Sequence, residues 1–189
     1  MCNDEELFAV IAYSGRAYVS LHQVMSLAPV EGNLIDLTRV SICPDDEYKE
    51  GRYCVVEKDL KASIPQIKMV ASGINCLQGQ ILEKSVFRGE MISSSDLENY
   101  IPGRVFLRKT FISTSKVEAI GQKWARPVIF EIKNFRGSYI GFLSFSKSEE
   151  EILLRAGSVF RVISREKEIL NVPNIDGNKE IIRIKIEQQ

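Results

Sequence analysis

Three short segments hold the side chains of greatest chemical interest. In Val86-Phe87-Arg88-Gly89 an arginine closes a run of β-forming residues and is followed by glycine. A guanidinium fork suits phosphate or pyrophosphate, and glycine lets a ligand approach bare backbone. In Phe111-Ile112-Ser113-Thr114-Ser115 three consecutive hydroxyls end an apolar run, where they can orient a sugar or a carboxylate. In Ser148-Glu149-Glu150-Glu151-Ile152-Leu153-Leu154 three adjacent acids precede an apolar stretch. If Glu151 begins a strand there, residues two apart share a face, so Glu149 and Glu151 point together and Glu150 points away. Two carboxylates on one face are what acid–base chemistry at a glycosidic centre requires. Taken singly, each segment has a plainer reading: a strand-end ion pair beside a turn, a local turn or helix cap, and a solvated charge run. Their conjunction, in this order, is what carries weight.

The elements that must position these groups change character near residue 80. Before it, Leu7, Val10 and Ile11, then Tyr18, Leu21, Met25 and Ala28, recur at helical spacing, with Gly15 as the break between two helices. Pro44 and Asp45-Asp46-Glu47 mark a loop or a helix start. A further helix is expected with Ser63 as its cap, Pro65 in its first turn and Ile67, Val70, Ile74 and Leu77 on its buried face. After Gly79 short β-forming runs follow at Ser85 to Phe87, Val105 to Ile112, Val128 to Ile132, Tyr139 to Phe145, Glu151 to Leu154, Val159 to Ser164 and Ile181 to Ile186. Ser95 to Glu98 offer a capping box for a short helix between the first two. Helices followed by strands, without βαβ alternation, indicate an α+β fold with an antiparallel or mixed sheet.

Composition narrows the function classes. The 189 residues suit one domain that buries about two-thirds of its unfolded surface. They are 44% apolar, 8% aromatic and 26% charged, which removes disordered, collagen-like and disulfide-scaffold classes. Lys plus Arg and Asp plus Glu are both 25, so no global field gathers nucleic acid or anionic membrane. The longest apolar run, Leu7 to Tyr13, is far short of the roughly 20 residues that span a bilayer, and the N-terminus does not read as a secretory leader. Cysteines at 2, 43, 54 and 76 lack paired spacing and His22 is the sole histidine, so a zinc or iron cluster is not expected. Reduced thiols in a cytosolic protein are the preferred reading, with a disulfide inside the first 76 residues left open. GxGxxG, P-loop and HExxH patterns are absent.

An Arg closing one strand, a Ser-Thr-Ser ending another and a Glu-x-Glu opening a third, 25 and then 38 residues apart, resemble the R-S-E pattern of mono-ADP-ribosyltransferases of the toxin and effector type. Tyr13-Ser14-Gly15 with Tyr18, Pro102-Gly103, and Glu-Ile-Leu-Leu-x-x-Gly-x-x-Phe-x-Val from Glu151 to Val162 extend the similarity, which runs from about residue 7 to the end. The resemblance implies one catalytic domain over 1–189. A helical lobe (about 1–80) would pack on a mixed or antiparallel β-sandwich core (about 81–189), with an NAD cleft between them. It implies NAD as co-substrate, loss of nicotinamide and no metal. By similarity Arg88 would hold the NAD phosphates, and the Gly89 backbone would receive the carboxamide. Ser113 would bond both the catalytic carboxylate and the ribose. Glu151 would grip the ribose 2′-hydroxyl and stabilise the oxocarbenium-like sugar.

In that family a Glu two before the catalytic Glu accompanies arginine modification, and here it is Glu149. A guanidinium has a pKa above about 12 and must lose a proton to attack, so a carboxylate base there is chemically sensible. Arginine on a target protein, host-derived by analogy, is therefore the expected acceptor. The alternatives are threonine, water in an NAD glycohydrolase, or an adaptor module that binds nucleotide without turnover. In the segment after Ser-Thr-Ser, Trp124 is expected to stack on nicotinamide and Arg126 to reach a phosphate, each against a plain packing or surface role. The acceptor loop carries Ser at 146 where the family often has an aromatic, so Phe145 is expected to serve from beside it. His22 is expected to pack or face solvent. The enzyme is expected to act in the cytosol, most economically as a bacterial effector delivered into another cell.

Overall fold

A computed structural model describes residues 2–14, 18–31, 34–43, 55–77, 85–124, 127–143, 147–171 and 178–189. The helical part opens with α1 (Asp4–Ala12) and α2 (Tyr18–Leu27). Asn3 caps α1 through a reciprocal box with Glu6, which satisfies the orphan amides at the helix start. Two small ladders follow, β1 (Val30–Glu31) with antiparallel β2 (Leu34–Ile35), and β3 (Ile42–Cys43) with parallel β4 (Val55–Val56). The expected break at Gly15 and the Pro44 to Glu47 loop lie outside the described residues.

The third helix, α3 (Glu57–Cys76), is longer than the sequence suggests, because Ser63 and Pro65 sit inside it rather than at its start. Proline removes one internal amide donor, but a 20-residue helix with Leu60, Ser63, Ile67, Val70, Gly73 and Ile74 buried along one face outweighs that loss. Gly73 lies at the crossing with α1. A Cβ there would stand 2.7 Å from Val10 Cγ2 and 2.8 Å from the Glu6 carbonyl oxygen, so the backbones meet only because the side chain is absent. This close approach brings Cys2, ahead of α1, to Cys76 at the end of α3, with Cα atoms 5.4 Å apart and the sulfurs bonded. The preference for reduced thiols fails for this pair. Packing joined residues 74 apart that show no paired spacing in sequence. The side chain of Cys43, and Cys54 altogether, lie outside the described set.

The second half supplies β5 (Val86–Glu90), α4 (Ser94–Leu97), β6 (Val105–Arg108), β7 (Ile112–Ser115), α5 (Glu118–Trp124), β8 (Val128–Lys133), β9 (Gly137–Tyr139), β10 (Glu151–Leu154), β11 (Ser158–Asn171) and β12 (Asn178–Gln188). These strands form one mixed sheet in the order β6-β11-β12-β8-β5-β7-β10-β9, with β12–β8 the parallel pair. A single residue pair, Phe87 with Ser115, joins β5 to β7. At that seam the sheet divides into two parts that share one apolar core: Val86, Phe130, Phe160 and Ile184 from one side, and Ile112, Ile152 and Leu154 from the other. A second core joins α1, α2 and α3 to Phe111, Ile140 and Leu153.

Several boundaries differ from expectation for identifiable reasons. The run Val105 to Ile112 is two strands, because β6 pairs with β11 at one edge while β7 pairs with β10 and β5 beyond the seam. The intervening Lys109 donates from Nζ to the carbonyls of Ser26 (3.1 Å) and Ala28 (2.8 Å), capping the end of α2 with a cation. Ser93, not Ser95, caps α4, accepting from the Asp96 amide. The run expected as a strand from Tyr139 to Phe145 instead ends strand pairing at Tyr139 and turns, with the Leu143 amide donating to the Ile140 carbonyl.

Candidate active site

β5, β7 and β10 set the site through strand alternation. On β10, Ile152 and Leu154 enter the sheet core while Leu153 enters the helical core, so Glu151 shares the side of Leu153. Antiparallel pairing of Glu151 with Ser115 and of Leu153 with Ser113 places both serines on that side. Thr114 points the other way, and its hydroxyl donates to the Ile152 carbonyl at 2.7 Å. The central hydroxyl is therefore structural and the flanking two face the cleft.

The resulting contacts are short. Ser113 Oγ donates to Glu151 Oε1 at 2.6 Å. Arg88 Nη1 donates to the Ser113 carbonyl at 2.9 Å, so arginine, serine and glutamate form one continuous chain. Ser115 Oγ donates to the Glu149 carbonyl at 2.6 Å and accepts from the Val117 amide at 2.9 Å, tying the acidic segment to the start of α5. Arg88 lies within β5 rather than closing it, so its neighbours two residues away fall on its own side of the strand.

Glu149 and Glu151 both line the cleft, as the alternation argument expects, but by a different route. Glu149 ends a 3-10 turn (Lys147–Glu149), and Glu150 adopts a left-handed backbone with φ of 45°. That kink sends the Glu150 carboxylate away to accept from the Tyr139 hydroxyl at 3.2 Å. Burial and this bond raise the Tyr139 pKa, and Lys116 Nζ sits 3.9 Å above the same ring.

The cleft has a volume of about 410 Å³. Its walls carry Arg88, Gly89, Ser113, Glu149 and Glu151 together, with Phe87 and Ile120 as apolar surface. This donor set suits NAD chemically: a guanidinium for pyrophosphate, and hydroxyl and carboxylate groups for a ribose. Three expected site residues fall outside what the structure describes. Trp124 ends α5 but its side chain is outside the described set, and Arg126 and Phe145 lie outside the described residues altogether. Among the described residues, the one metal-like grouping of cysteine, histidine or carboxylate atoms is Cys2, Glu6 and Cys76, whose sulfurs are bonded to each other.

Some site residues escaped the sequence reading. Glu90 lies two positions after Arg88, which a period-two argument would have found; it comes within 4.0 Å of Arg88 and takes a two-pronged bond from Arg108 at 2.6 and 3.2 Å. Arg108 itself stacks 5.1 Å from the Phe130 ring. His22, expected at the surface or in packing, is on the cleft wall. Burial lowers its pKa, with Arg88 and Arg108 acting in the same direction against Glu90. No local motif around His22 signals this, because its position depends on where α2 docks.

Comparison with known proteins gives the family and the fold. The family described as ADP-ribosyltransferase exoenzyme matches residues 75–188. Over 87 residues, 45% of the chain, the sequence is 34% identical to Mav of Mycobacterium avium (strain 104), which bears the provisional name NAD(+)--arginine ADP-ribosyltransferase. The aligned region spans 10% of that relative's length. Among solved structures, the ADP-ribosyltransferase Vis in complex with agmatine matches with a TM-score of 0.66 at 20% identity, covering 100% of this chain and 76% of Vis; Vis is a toxin from Vibrio splendidus. Exoenzyme S from Pseudomonas aeruginosa, bound to human 14-3-3 protein beta and Carba-NAD, matches at 0.67 and 14% identity over 98% and 74% of the two chains. The Salmonella SpvB domain matches at 0.65 and 17% over 99% and 100%. The structural likenesses establish the fold.

Helical lobe, split mixed sheet and cleft thus define an α+β ADP-ribosyltransferase fold. The chain belongs to the ADP-ribosyltransferase exoenzyme family of mono-ADP-ribosyltransferases.

Proposed function

We propose that residues 1–189 act as one catalytic unit that transfers ADP-ribose from NAD to an arginine side chain of a target protein, releasing nicotinamide. The observation that carries this reading is the 2.6 Å bond from Ser113 to Glu151 in a cleft that also holds Arg88 and Glu149. Arg88 holds the NAD phosphates and the Gly89 backbone receives the carboxamide. Ser113 fixes the Glu151 carboxylate beside the nicotinamide ribose. As the N-glycosidic bond loosens, positive charge develops on the sugar, and a prepositioned carboxylate stabilises it more than the ground state. Glu149 takes the proton from the incoming guanidinium, whose nitrogen attacks the anomeric carbon. Trp124, the last residue of α5, is assigned to nicotinamide, Arg126 to a phosphate and Phe145 to the acceptor. None of these steps calls on a metal.

Arginine specificity is supported by Glu149, by the name carried by Mav and by the agmatine complex of Vis, agmatine being itself a guanidinium compound. The 14-3-3 complex of exoenzyme S supports a protein partner, and toxin relatives support action in the cytosol of another cell. Incubation with labelled NAD and a cell lysate, followed by mapping of the labelled residue, tests the reading. Label on arginine that falls about tenfold or more with Glu149→Gln is the expected result. Label on threonine would replace the acceptor; free ADP-ribose without labelled protein would make water the acceptor; no consumption of NAD would leave a binding module.

A further inference from the structure

Arg183 lies outside the cleft, yet it is the most heavily paired cation among the described residues. Its side chain is 9% exposed. Nη2 meets Glu118 Oε1 at 2.6 Å, Nε meets Glu168 Oε1 at 2.7 Å and Nη1 lies 3.7 Å from Glu131 Oε2. The three carboxylates come from α5, β11 and β8. Glu131 and Glu168 stand on strands that backbone ladders already hold beside β12. Glu118 is different, because α5 has no ladder to the sheet.

We infer that Arg183 is a positioning residue for NAD binding: through Glu118 it pins α5 against β5 and so fixes the cleft wall formed by Ile120 and Gly121. The inference rests on the functional reading above. A helix of seven residues does not hold its shape in water unaided, so tertiary contacts must hold it. Two contacts do so. At Gly121 a Cβ would stand 2.6 Å from Phe87 Cβ and 3.5 Å from the Arg88 amide nitrogen, so α5 lies directly on the strand that carries Arg88. At Glu118 the carboxylate accepts from Arg183 and also from Gln122 Nε2 at 3.1 Å, one turn along the same helix. Phe87, Glu131 and Arg183 share a sheet face by register, which aligns the ion cluster with the helix above it. A guanidinium presents Nε and both Nη groups in one rigid plane, so it fixes the directions in which carboxylates from three elements meet it, where an ammonium leaves them free to rotate. Loosening the Glu118 end would let the helix lift, widening the cleft beside Arg88 while leaving Ser113 and Glu151 in register on β7 and β10.

The decisive variant is Glu118→Ala, whose side chain is 44% exposed in the wild type, so that folding is spared. Nicotinamide release from NAD gives KM and kcat, and amide hydrogen exchange across residues 118–124 reports the helix without substrate. KM should rise about threefold or more with kcat within about twofold, the pattern of lost binding rather than lost chemistry. Exchange over α5 should quicken, and Arg183→Lys should change both readouts in the same direction by less. Unchanged KM in Glu118→Ala and Arg183→Lys, with wild type turning over normally, would overturn the inference even if their melting temperatures fall. A wild-type chain that neither binds nor cleaves NAD would instead remove the functional reading, and this inference with it.

Discussion

Two arginines on opposite faces of the same sheet are held in opposite ways. Arg88 shares its face with Phe130, is 28% exposed, donates to one backbone carbonyl and stands 4.0 Å from Glu90. Arg183 shares the other face with Ile129, is 9% exposed and is surrounded by three carboxylates. The pKa of Arg183 is raised: burial opposes its charge, but bonds to Glu168 and Glu118 outweigh that cost. A guanidinium saturated by acids can brace a structure and has little left to offer a ligand. One leaning on a carbonyl, with its nearest acid already gripped by Arg108, keeps donors for an incoming phosphate.

The contrast is broken most directly by exchanging each arginine for methionine. Arg183→Met removes the cation that joins Glu118, Glu131 and Glu168, leaving only Lys133 beside Glu131, and should cost about 3 kcal/mol of stability in chemical denaturation, as expected when one partner of a mostly buried ionic cluster is removed. Arg88→Met should leave stability within about 1 kcal/mol while NAD turnover collapses. Equal stability losses would erase the distinction between brace and binding group. Glu151→Gln should lower the transfer rate at least about 100-fold, equivalent to about 2.7 kcal/mol of transition-state stabilisation, with a smaller effect on NAD affinity. Single-turnover rates beside equilibrium NAD titration check this, and near-normal transfer would refute the role.

The same contrast explains what could be read from sequence. Arg88, Ser113 and Glu151 were legible because each sits on or beside a β-forming run, with spacing and types that match a family pattern. Glu149 was legible for a partly mistaken reason, since a positive-φ residue at 150, not strand alternation alone, turns it into the cleft. Arg183 and His22 were illegible, because the first owes its neighbours to sheet order and the second to helix docking, both long-range outcomes. The Cys2–Cys76 bond was hidden likewise: Gly73 reads locally as a weak helix former, and only the α1 crossing shows why no larger residue fits. Pro65 misled because local propensity marked a helix start where buried contacts carried the helix through.

Within the cleft, the comparison sharpens between the two acids. Glu149→Gln keeps shape and hydrogen bonding but loses the base, so protein labelling should fall about tenfold or more while nicotinamide release to water changes less. Equal losses in both assays would give Glu149 a role in bond cleavage rather than in acceptor activation.

The smallest effect concerns pH and His22, which lines the cleft with Arg88 and Glu90 and also feels the charge of Arg108. Its pKa is lowered in the folded protein, chiefly by burial, so the folded state takes up a proton less readily than the unfolded chain does. The stability linked to a neutral His22 is therefore fully present above the unfolded value of 6.5 and is lost as pH falls from there through the lower folded value. Thermal melts from pH 7.5 downward should show a decline starting near pH 6.5, and His22→Gln, which cannot take up a proton, should flatten that part of the curve. If Arg88 holds the NAD phosphates as proposed, saturating NAD should work against the decline, because those phosphates would offset the cations that disfavour the imidazolium. An acid slope identical in wild type and His22→Gln would place the titrating group elsewhere and leave His22 as plain cleft wall.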